Sequence, residues 1–220
     1  MFGVLGLSSS KWCVMKKTYE DKGIKLVKGD FDFESISNVS LWNMAPVWPG
    51  RKKSRLSVTD LSGIVEKCYN LSRPSAYMVL WIPASELHQT LFDPQECSPW
   101  LCQGTILSGS HPMHIGYVHT RGGASLSHPT RLILDERGKR ASSSSKAMKY
   151  LLEELLSYGQ HLVADPFGHR SAVLPIWCRR LHHRYVGAVR SKAAYIEMAN
   201  RLAQEELPGI QLEIPIKGRG

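Results

Sequence analysis

Residues 161–202 constrain the fold more strongly than any other part of the chain. A short apolar run ends in Asp165-Pro166-Phe167-Gly168, and a helical stretch follows it. A second apolar run then occupies residues 185–189, before another helical stretch. This order predicts a strand–helix–strand–helix unit with a tight turn where the first strand ends. Because open α/β sheets bind ligands at such turns, the segment predicts an α/β fold with a ligand site at Asp165–Gly168.

Apolar spacing predicts further strands and helices before this unit. Helical periodicity is present over residues 58–71, with Ser57 or Thr59 as the predicted cap, and over residues 146–157. The closing helix places four apolar residues on one face, namely Tyr195, Met198, Ala199 and Leu202. Strands are expected at residues 24–27, 39–44, 76–82, 104–108 and 114–119. Strands separated by helices imply a mainly parallel sheet with helices on both faces, which is a three-layer α/β domain.

The length of 220 residues suits one domain with a substantial core. A basic, serine-rich loop at residues 136–145 divides this domain, residues 24–206, into a first half (24–135) and a second half (146–206). Residues 1–23 are expected to be an N-terminal extension, and residues 207–220 a C-terminal tail.

Composition limits the classes of protein to which the chain can belong. The longest strongly apolar run, residues 76–83, is too short to span a bilayer, so no membrane association is expected. Five cysteines without framework spacing favour a reduced, intracellular compartment. Nucleus, cytoplasm and mitochondrion stay open, since no acidic residue precedes Glu20 and a presequence is compatible with that start. Cys97 and Cys102 with His111 and His114 have loose spacing, so we expect ordinary thiols and surface histidines rather than a metal site.

The chain is strongly basic, with a formal net charge of +9. Part of the excess lies in runs at residues 51–55, 137–140 and 179–184. Basic stripes attract phosphate backbones by releasing counterions, although a solvated basic face would look the same. The candidate nucleic-acid contacts are Arg51, Lys52, Lys53, Arg179 and Arg180, which are expected to form one face next to Trp48.

The segment around Asp165-Pro166-Phe167 resembles the cofactor half of the DNA amino-methyltransferases, which methylate adenine N6 or cytosine N4. In that family a strand leads into DPF, a Gly-Ser-Gly turn, a helix and a second strand ending in an acid. Here the DPF turn comes late in the chain, which resembles the permuted branch of the family. The resemblance covers residues 24–206 and is strongest over 160–202. It implies a methyltransferase (Rossmann-like) fold, S-adenosylmethionine as cofactor and nucleic acid as substrate.

The resemblance also assigns cofactor-binding positions. Asp165 would accept a hydrogen bond from the methionine amino group, Phe167 would pack near the adenosine, and Gly168 would let the backbone approach closely. Pro166 and Asp30, the latter following the first strand, complete the set.

Two departures from the family pattern weaken this cofactor site. His169, Arg170 and Ser171 stand where the family has its next glycines, and their side chains fill space that the cofactor would use. Val189 stands where the family has a ribose-binding carboxylate.

The catalytic turn of the family reads Asp/Asn/Ser-Pro-Pro-aromatic, and the matching residues here are Ala45-Pro46-Val47-Trp48. Pro46 and Trp48 fit, and the Trp48 ring could stack on a flipped base. Ala45 has no acceptor for the exocyclic amine. Asn43 would point to the same side of an extended strand and is the candidate substitute.

Two hypotheses follow for the function. The first is an S-adenosylmethionine-dependent nucleic-acid amino-methyltransferase. The second is a catalytically inactive methyltransferase-like subunit that acts in nucleic-acid binding or, with a protein partner, in complex assembly. Ala45 and Val189 favour the second hypothesis, whereas Asp165, Pro46 and Trp48 favour the first.

Overall fold

The computed structural model describes residues 18–46, 57–83, 99–108, 114–122, 130–133, 145–156, 159–168 and 172–204. Their strands are β1 (Thr18–Asp21), β2 (Ile24–Lys28), β3 (Val39–Met44), β4 (Ser72–Pro83), β5 (Leu101–Ser108), β6 (His114–Thr120), β7 (Thr130–Ile133), β8 (Leu162–Asp165) and β9 (Arg184–Val189). Their helices are α1 (Val58–Leu71), α2 (Ser145–Leu155), α3 (Val173–Arg180) and α4 (Lys192–Gln204), and a short 3-10 turn spans Phe33–Ser35. Within these residues no helix has the length and apolar character needed to cross a bilayer.

One mixed sheet contains all nine of these strands, in the order β1-β2-β9-β8-β3-β4-β6-β5-β7. The five strands from β2 to β4 in this order are parallel to their neighbours. Antiparallel pairs flank them, with β1 on β2 at one side and β6 on β4 and β5 at the other. The prediction of a three-layer α/β fold with a mainly parallel centre is confirmed.

Each face of the sheet has its own apolar core. Leu41, Val163 and Tyr185 lie under α2, α3 and α4 on the face that we call the α2–α4 face. Trp42, Met44 and Ala164 lie under α1 on the opposite face, the α1 face. Successive residues of β3 and β8 thus point to opposite cores, as the alternation of an extended chain requires. The four residues expected on one face of the closing helix are all buried, as predicted.

Two strands lacked a sequence signal. β1 lies within the region that was expected to be an N-terminal extension. It forms a hairpin with β2 through the turn at Lys22-Gly23 and so belongs to the sheet. The boundary expected at residue 24 therefore falls inside the sheet. β7 pairs with β5 in parallel near the other edge. β1 (TYED) and β7 (TRLI) contain one and two apolar residues, against three in the equally short β8 (LVAD), so neither gave a strand signal.

Helix α1 is capped by Ser57, one of the two cap residues that the sequence offered. The Ser57 hydroxyl accepts a hydrogen bond from the Asp60 N–H (3.0 Å), and the Asp60 carboxylate accepts from the Ser57 N–H (2.9 Å), which together form a capping box. These bonds also lower the pKa of Asp60.

We expect Ser57→Ala to lower the free energy of unfolding by about 1 kcal/mol, since it removes the cap of α1. Urea denaturation followed by tryptophan fluorescence would measure the loss. Thr59→Ala is the matched control, because it removes the other candidate hydroxyl at the same helix end and leaves the capping box in place. Equal losses in the two variants would contradict the assignment of the cap to Ser57.

Helix α3 accommodates a proline without a break. The helix begins at Val173, so Pro175 lies in its first turn, where the backbone N–H groups have no partner within the helix. The first bond of the helix runs from the Ile176 N–H to the Ala172 carbonyl at 3.0 Å.

Candidate functional site

The switch point of the sheet lies between β3 and β8. These strands are parallel neighbours, with Leu41 level with Val163 and Trp42 level with Ala164. From β3 the chain passes through α1 to β4 on one side, and from β8 it passes through α3 to β9 on the other. The carboxyl ends of β3 and β8 are therefore where an open α/β sheet binds ligands. The turns that begin at Ala45-Pro46 and at Pro166 leave adjacent strands side by side, while Trp48 itself lies outside the described residues.

A buried chain of hydrogen bonds joins side chains of four adjacent strands, β4, β3, β8 and β9. Trp81 Nε1 on β4 donates to Asn43 Oδ1 on β3 at 2.9 Å. Asn43 Nδ2 donates to Asp165 Oδ2 on β8 at 3.2 Å, and the Tyr185 hydroxyl on β9 donates to the same oxygen at 3.3 Å. We call this set, Trp81, Asn43, Asp165 and Tyr185, the buried network. It lies on the α2–α4 face, and all four side chains are buried.

The Asp165 carboxyl is held in an environment that disfavours its charge. Its residue is only 6% exposed, and burial raises its pKa from the usual 3.8 to about 7. Hydrogen bonds from Asn43, Tyr185 and the Phe167 backbone oppose this rise without cancelling it. Burial likewise raises the pKa of the neighbouring Cys178 thiol and Tyr185 hydroxyl, and proximity to Asp165 adds to both shifts.

The turn after β8 rests on the end of β9. A Cβ atom built on Gly168 would lie 2.6 Å from the Ala188 carbonyl oxygen and 3.2 Å from Val189 Cγ2, so only glycine fits at this approach. Pro166 and Phe167 are half-buried, and the Phe167 ring packs against the core of the α1 face. Gly168 thus approaches the backbone of β9 closely, and its predicted approach to a cofactor stays a prediction.

The end of β9 carries no carboxylate in the described residues. Val189 is 1% exposed, and its carbonyl accepts a hydrogen bond from the Gly29 N–H at 3.0 Å. Asp30 lies next to this position, but its carboxylate pairs with the Arg190 guanidinium at 2.8 Å, and both side chains are largely exposed. Asp30 therefore lies at the predicted edge as half of a surface ion pair.

Pro46 and Asn43, two of the candidate catalytic residues, both lie at the carboxyl end of β3 but have different surroundings. Pro46 is buried beside the switch point, directly after β3. Asn43 does not take the place expected of it, because its side chain is buried and its Oδ1 and Nδ2 atoms bond to Trp81 and Asp165. It points to the same side of β3 as Ala45, as predicted, but the Oδ1 atom that it would offer to a base already accepts from Trp81.

The candidate nucleic-acid contacts are also divided. Arg51, Lys52 and Lys53 lie outside the described residues. Arg179 is only 8% exposed, since its guanidinium donates to the Leu202 carbonyl (2.8 Å) and to Asp21 (3.1 Å), which ties α3 to α4 and β1.

The prediction that Arg179 and Arg180 lie next to Trp48 is wrong, because residues 179–184 lie away from the turn that leads to Trp48. They join the end of α3 to the start of β9, and they therefore occupy the amino edge of the parallel strands, opposite the switch point. Arg180 is exposed there and remains a candidate contact.

Two members of the buried network had no signal in the sequence. Trp81 and Tyr185 read as ordinary residues of buried strands, and only the register between non-consecutive strands brings them to Asp165. No cluster of three or more histidine, cysteine, aspartate or glutamate residues is placed to hold a metal ion within the described ranges. Cys97 and His111, from the metal alternative, lie outside those ranges.

The sheet order and its switch point define a three-layer α/β domain of the Rossmann-like type. No family model and no curated protein matches the sequence. Solved structures do match. The PvuII cytosine-N4-specific DNA methyltransferase shares 11% identity, with 87% of this chain and 97% of that chain covered and a TM-score of 0.63. M1.HpyAVI shares 13% identity, with coverages of 82% and 98% and a TM-score of 0.61. TTHA0409 from Thermus thermophilus, complexed with S-adenosyl-L-methionine, shares 15% identity, with coverages of 84% and 95% and a TM-score of 0.57. These likenesses establish the fold.

Proposed function

We propose that this chain is a methyltransferase-like protein that binds nucleic acid and has lost methyl transfer. The observation that carries the proposal is the position of Asp165. Its carboxyl lies inside the core, bonded to Asn43 and Tyr185, where the family resemblance would have it receive the amino group of a cofactor.

The residues present do not fit S-adenosylmethionine in the manner that the resemblance implies. Burial favours the neutral form of Asp165, and a neutral carboxyl attracts a cationic amino group less strongly than a carboxylate does. Its Oδ1 atom has no hydrogen-bond partner among the described residues and could accept from a ligand, but it is buried, so that donor would have to reach into the core. Ribose hydroxyls need a polar partner at the end of β9, and Val189 has none. Without these contacts we assign no methyl-transfer step to the chain.

Nucleic-acid binding is supported independently of the cofactor. The net charge of +9 favours association with polyanions. The fold is shared with a protein named as a DNA methyltransferase, which acts on nucleic acid. Loss of transfer chemistry leaves both of these properties in place.

The second candidate is an active amino-methyltransferase of adenine N6 or cytosine N4. One observation favours it, namely that the Ala45-Pro46 turn and the Asp165 turn leave adjacent parallel strands at the switch point. That arrangement would hold a base and a cofactor side by side. The acceptor missing at Ala45 would still cost about 3 kcal/mol, or roughly 10²-fold in rate.

Calorimetric titration with S-adenosylmethionine separates the two candidates. We expect no binding or weak binding, together with retained affinity for oligonucleotides. Transfer of a labelled methyl group to mixed-sequence DNA and RNA would be measured in parallel, with PvuII DNA methyltransferase as the positive control. Tight cofactor binding together with methyl transfer would overturn the proposal and establish the second candidate.

A further inference from the structure

Three exposed cations lie at the amino edge of the parallel strands. Arg184 opens β9, Lys22 lies in the turn before β2, and Arg180 is the last residue of α3. β2, β8 and β9 begin at the same level, because Ile24 is level with Tyr185 and Leu162 is level with Arg184. We call Lys22, Arg180 and Arg184 the amino-edge patch.

The backbone brings Lys22 and Arg184 together. The Tyr185 N–H donates to the Gly23 carbonyl at 3.0 Å, which joins the β1–β2 turn to the start of β9. The Arg184 stem lies over Gly23, with its Cγ 3.6 Å from where a Cβ of Gly23 would be. The hairpin that the sequence did not reveal therefore places one more cation beside the basic run.

Trp177 holds the third cation in place. The Arg180 guanidinium lies 5.4 Å from the centroid of the half-buried Trp177 ring, and Lys149 Nζ on α2 lies at the same distance from it. Cation–π contacts of this kind orient a flexible side chain before any ligand arrives. A tight turn then returns the chain from Arg180 to Arg184, with the His183 N–H donating to the Cys178 carbonyl at 2.7 Å.

Two of the acidic groups near this edge pair with other cations, while Glu20 of β1 is exposed beside them. Asp21 pairs with the buried Arg179 guanidinium at 3.1 Å, and Glu153 pairs with Lys149 at 3.6 Å. The charge of Arg179 is thus balanced inside the structure, whereas Arg180 and Arg184 extend to solvent. The edge presents a net positive surface, and guanidinium groups suit phosphate oxygens geometrically.

We propose that nucleic acid lies along the amino edge of the sheet, with its phosphates against Lys22, Arg180 and Arg184. The inference rests on the nucleic-acid binding proposed above and assigns its surface. This surface is opposite the switch point, so it needs neither a cofactor nor a flipped base. Contacts of this type neutralise phosphates and therefore give salt-sensitive, sequence-tolerant binding.

The test compares two triple variants of equal charge. Lys22→Gln, Arg180→Gln and Arg184→Gln together remove the amino-edge patch. Lys146→Gln, Arg190→Gln and Lys192→Gln together remove three exposed cations near the opposite edge. Fluorescence anisotropy would measure binding of labelled single-stranded and duplex DNA and RNA between about 50 and 200 mM salt. Circular dichroism would confirm that each variant is folded.

The amino-edge variant should show a salt slope lower by roughly one unit per lost phosphate contact and a weaker affinity, while the control variant keeps the slope of the wild type. An unchanged slope in the amino-edge variant, or an equal fall in both variants, would overturn the assignment of this surface but leave the proposed function standing. A wild-type chain that prefers polyglutamate to every oligonucleotide would also overturn it, in favour of an acidic protein partner. A wild-type chain that binds no oligonucleotide at low salt would overturn the proposed function as well.

Discussion

The free energy of unfolding of the wild-type chain should fall by about 4 kcal/mol between about pH 4 and pH 7, and Asp165→Asn should remove this fall. The folded pKa of Asp165, about 7, lies above the usual value of 3.8, so the folded state holds the proton more tightly than the unfolded state. The stabilisation from the neutral carboxyl is complete below pH 3.8 and is lost as the pH rises towards 7. Above pH 7 the folded chain must keep a buried charge.

Asparagine is the appropriate replacement because it preserves the shape of the buried network. Its side-chain oxygen can occupy the Oδ2 position, where it accepts from Asn43 and Tyr185 as the carboxyl does. The variant should therefore be more stable than the wild type at about pH 8 and similar to it near pH 4. Urea denaturation at a series of pH values would measure this difference.

Asp30→Asn is the control, since it removes a carboxylate that is largely exposed. It should leave the stability component between about pH 4 and pH 7 intact. If Asp165→Asn retains the full pH dependence of the wild type, the carboxyl is not held neutral in the core, and the main argument against a charged cofactor contact fails.

Opposite effects are expected when two glycines are changed to alanine. Gly168→Ala should lower the free energy of unfolding by about 1–3 kcal/mol, because the new methyl group would overlap the Ala188 carbonyl. Gly63→Ala, inside α1, should raise it by about 0.5–1 kcal/mol, because a Cβ there meets nothing within 4 Å and alanine favours the helix.

Thermal and urea denaturation of both glycine variants would settle the sign of each effect. The pair separates a close backbone approach from a general response to alanine. If Gly168→Ala is neutral, the turn after β8 does not rest on β9, and room for a ligand would exist at that place. If both variants are more stable than the wild type, the turn after β8 likewise does not rest on β9.

The sequence predicted the elements well because their signals are local. Apolar periodicity located α1, α2 and α4, and Ser57 marked the beginning of α1. The DPF turn, a strand end followed by a helix, placed Asp165 at the switch point. Such features depend on neighbours within about one helical turn or one strand, and local spacing records them.

The chemistry of the site could not be predicted in the same way. Whether Asp165 faces a ligand or the core depends on Asn43, which is 122 residues away along the chain, and on the register of β3 against β8. The role of Arg179 depends on Asp21 in β1, a strand without an apolar run. A basic residue that pairs inside the fold has the same sequence signature as one that meets phosphate.

The order of the strands has a consequence for synthesis. β8 and β9, from the second half of the chain, fill the gap between β2 and β3, which both come from the first half. The first half alone therefore lacks a continuous sheet. Leu41 has no neighbour on this side until Val163 is made, and Ile24 has none until Tyr185 is made. On the ribosome the nascent chain must wait for residues up to Val189 before β9 and β8 can join β2 to β3, whereas β3 and β4 can pair earlier. This long-range pairing makes folding slow and leaves apolar edges exposed to chaperones in the meantime.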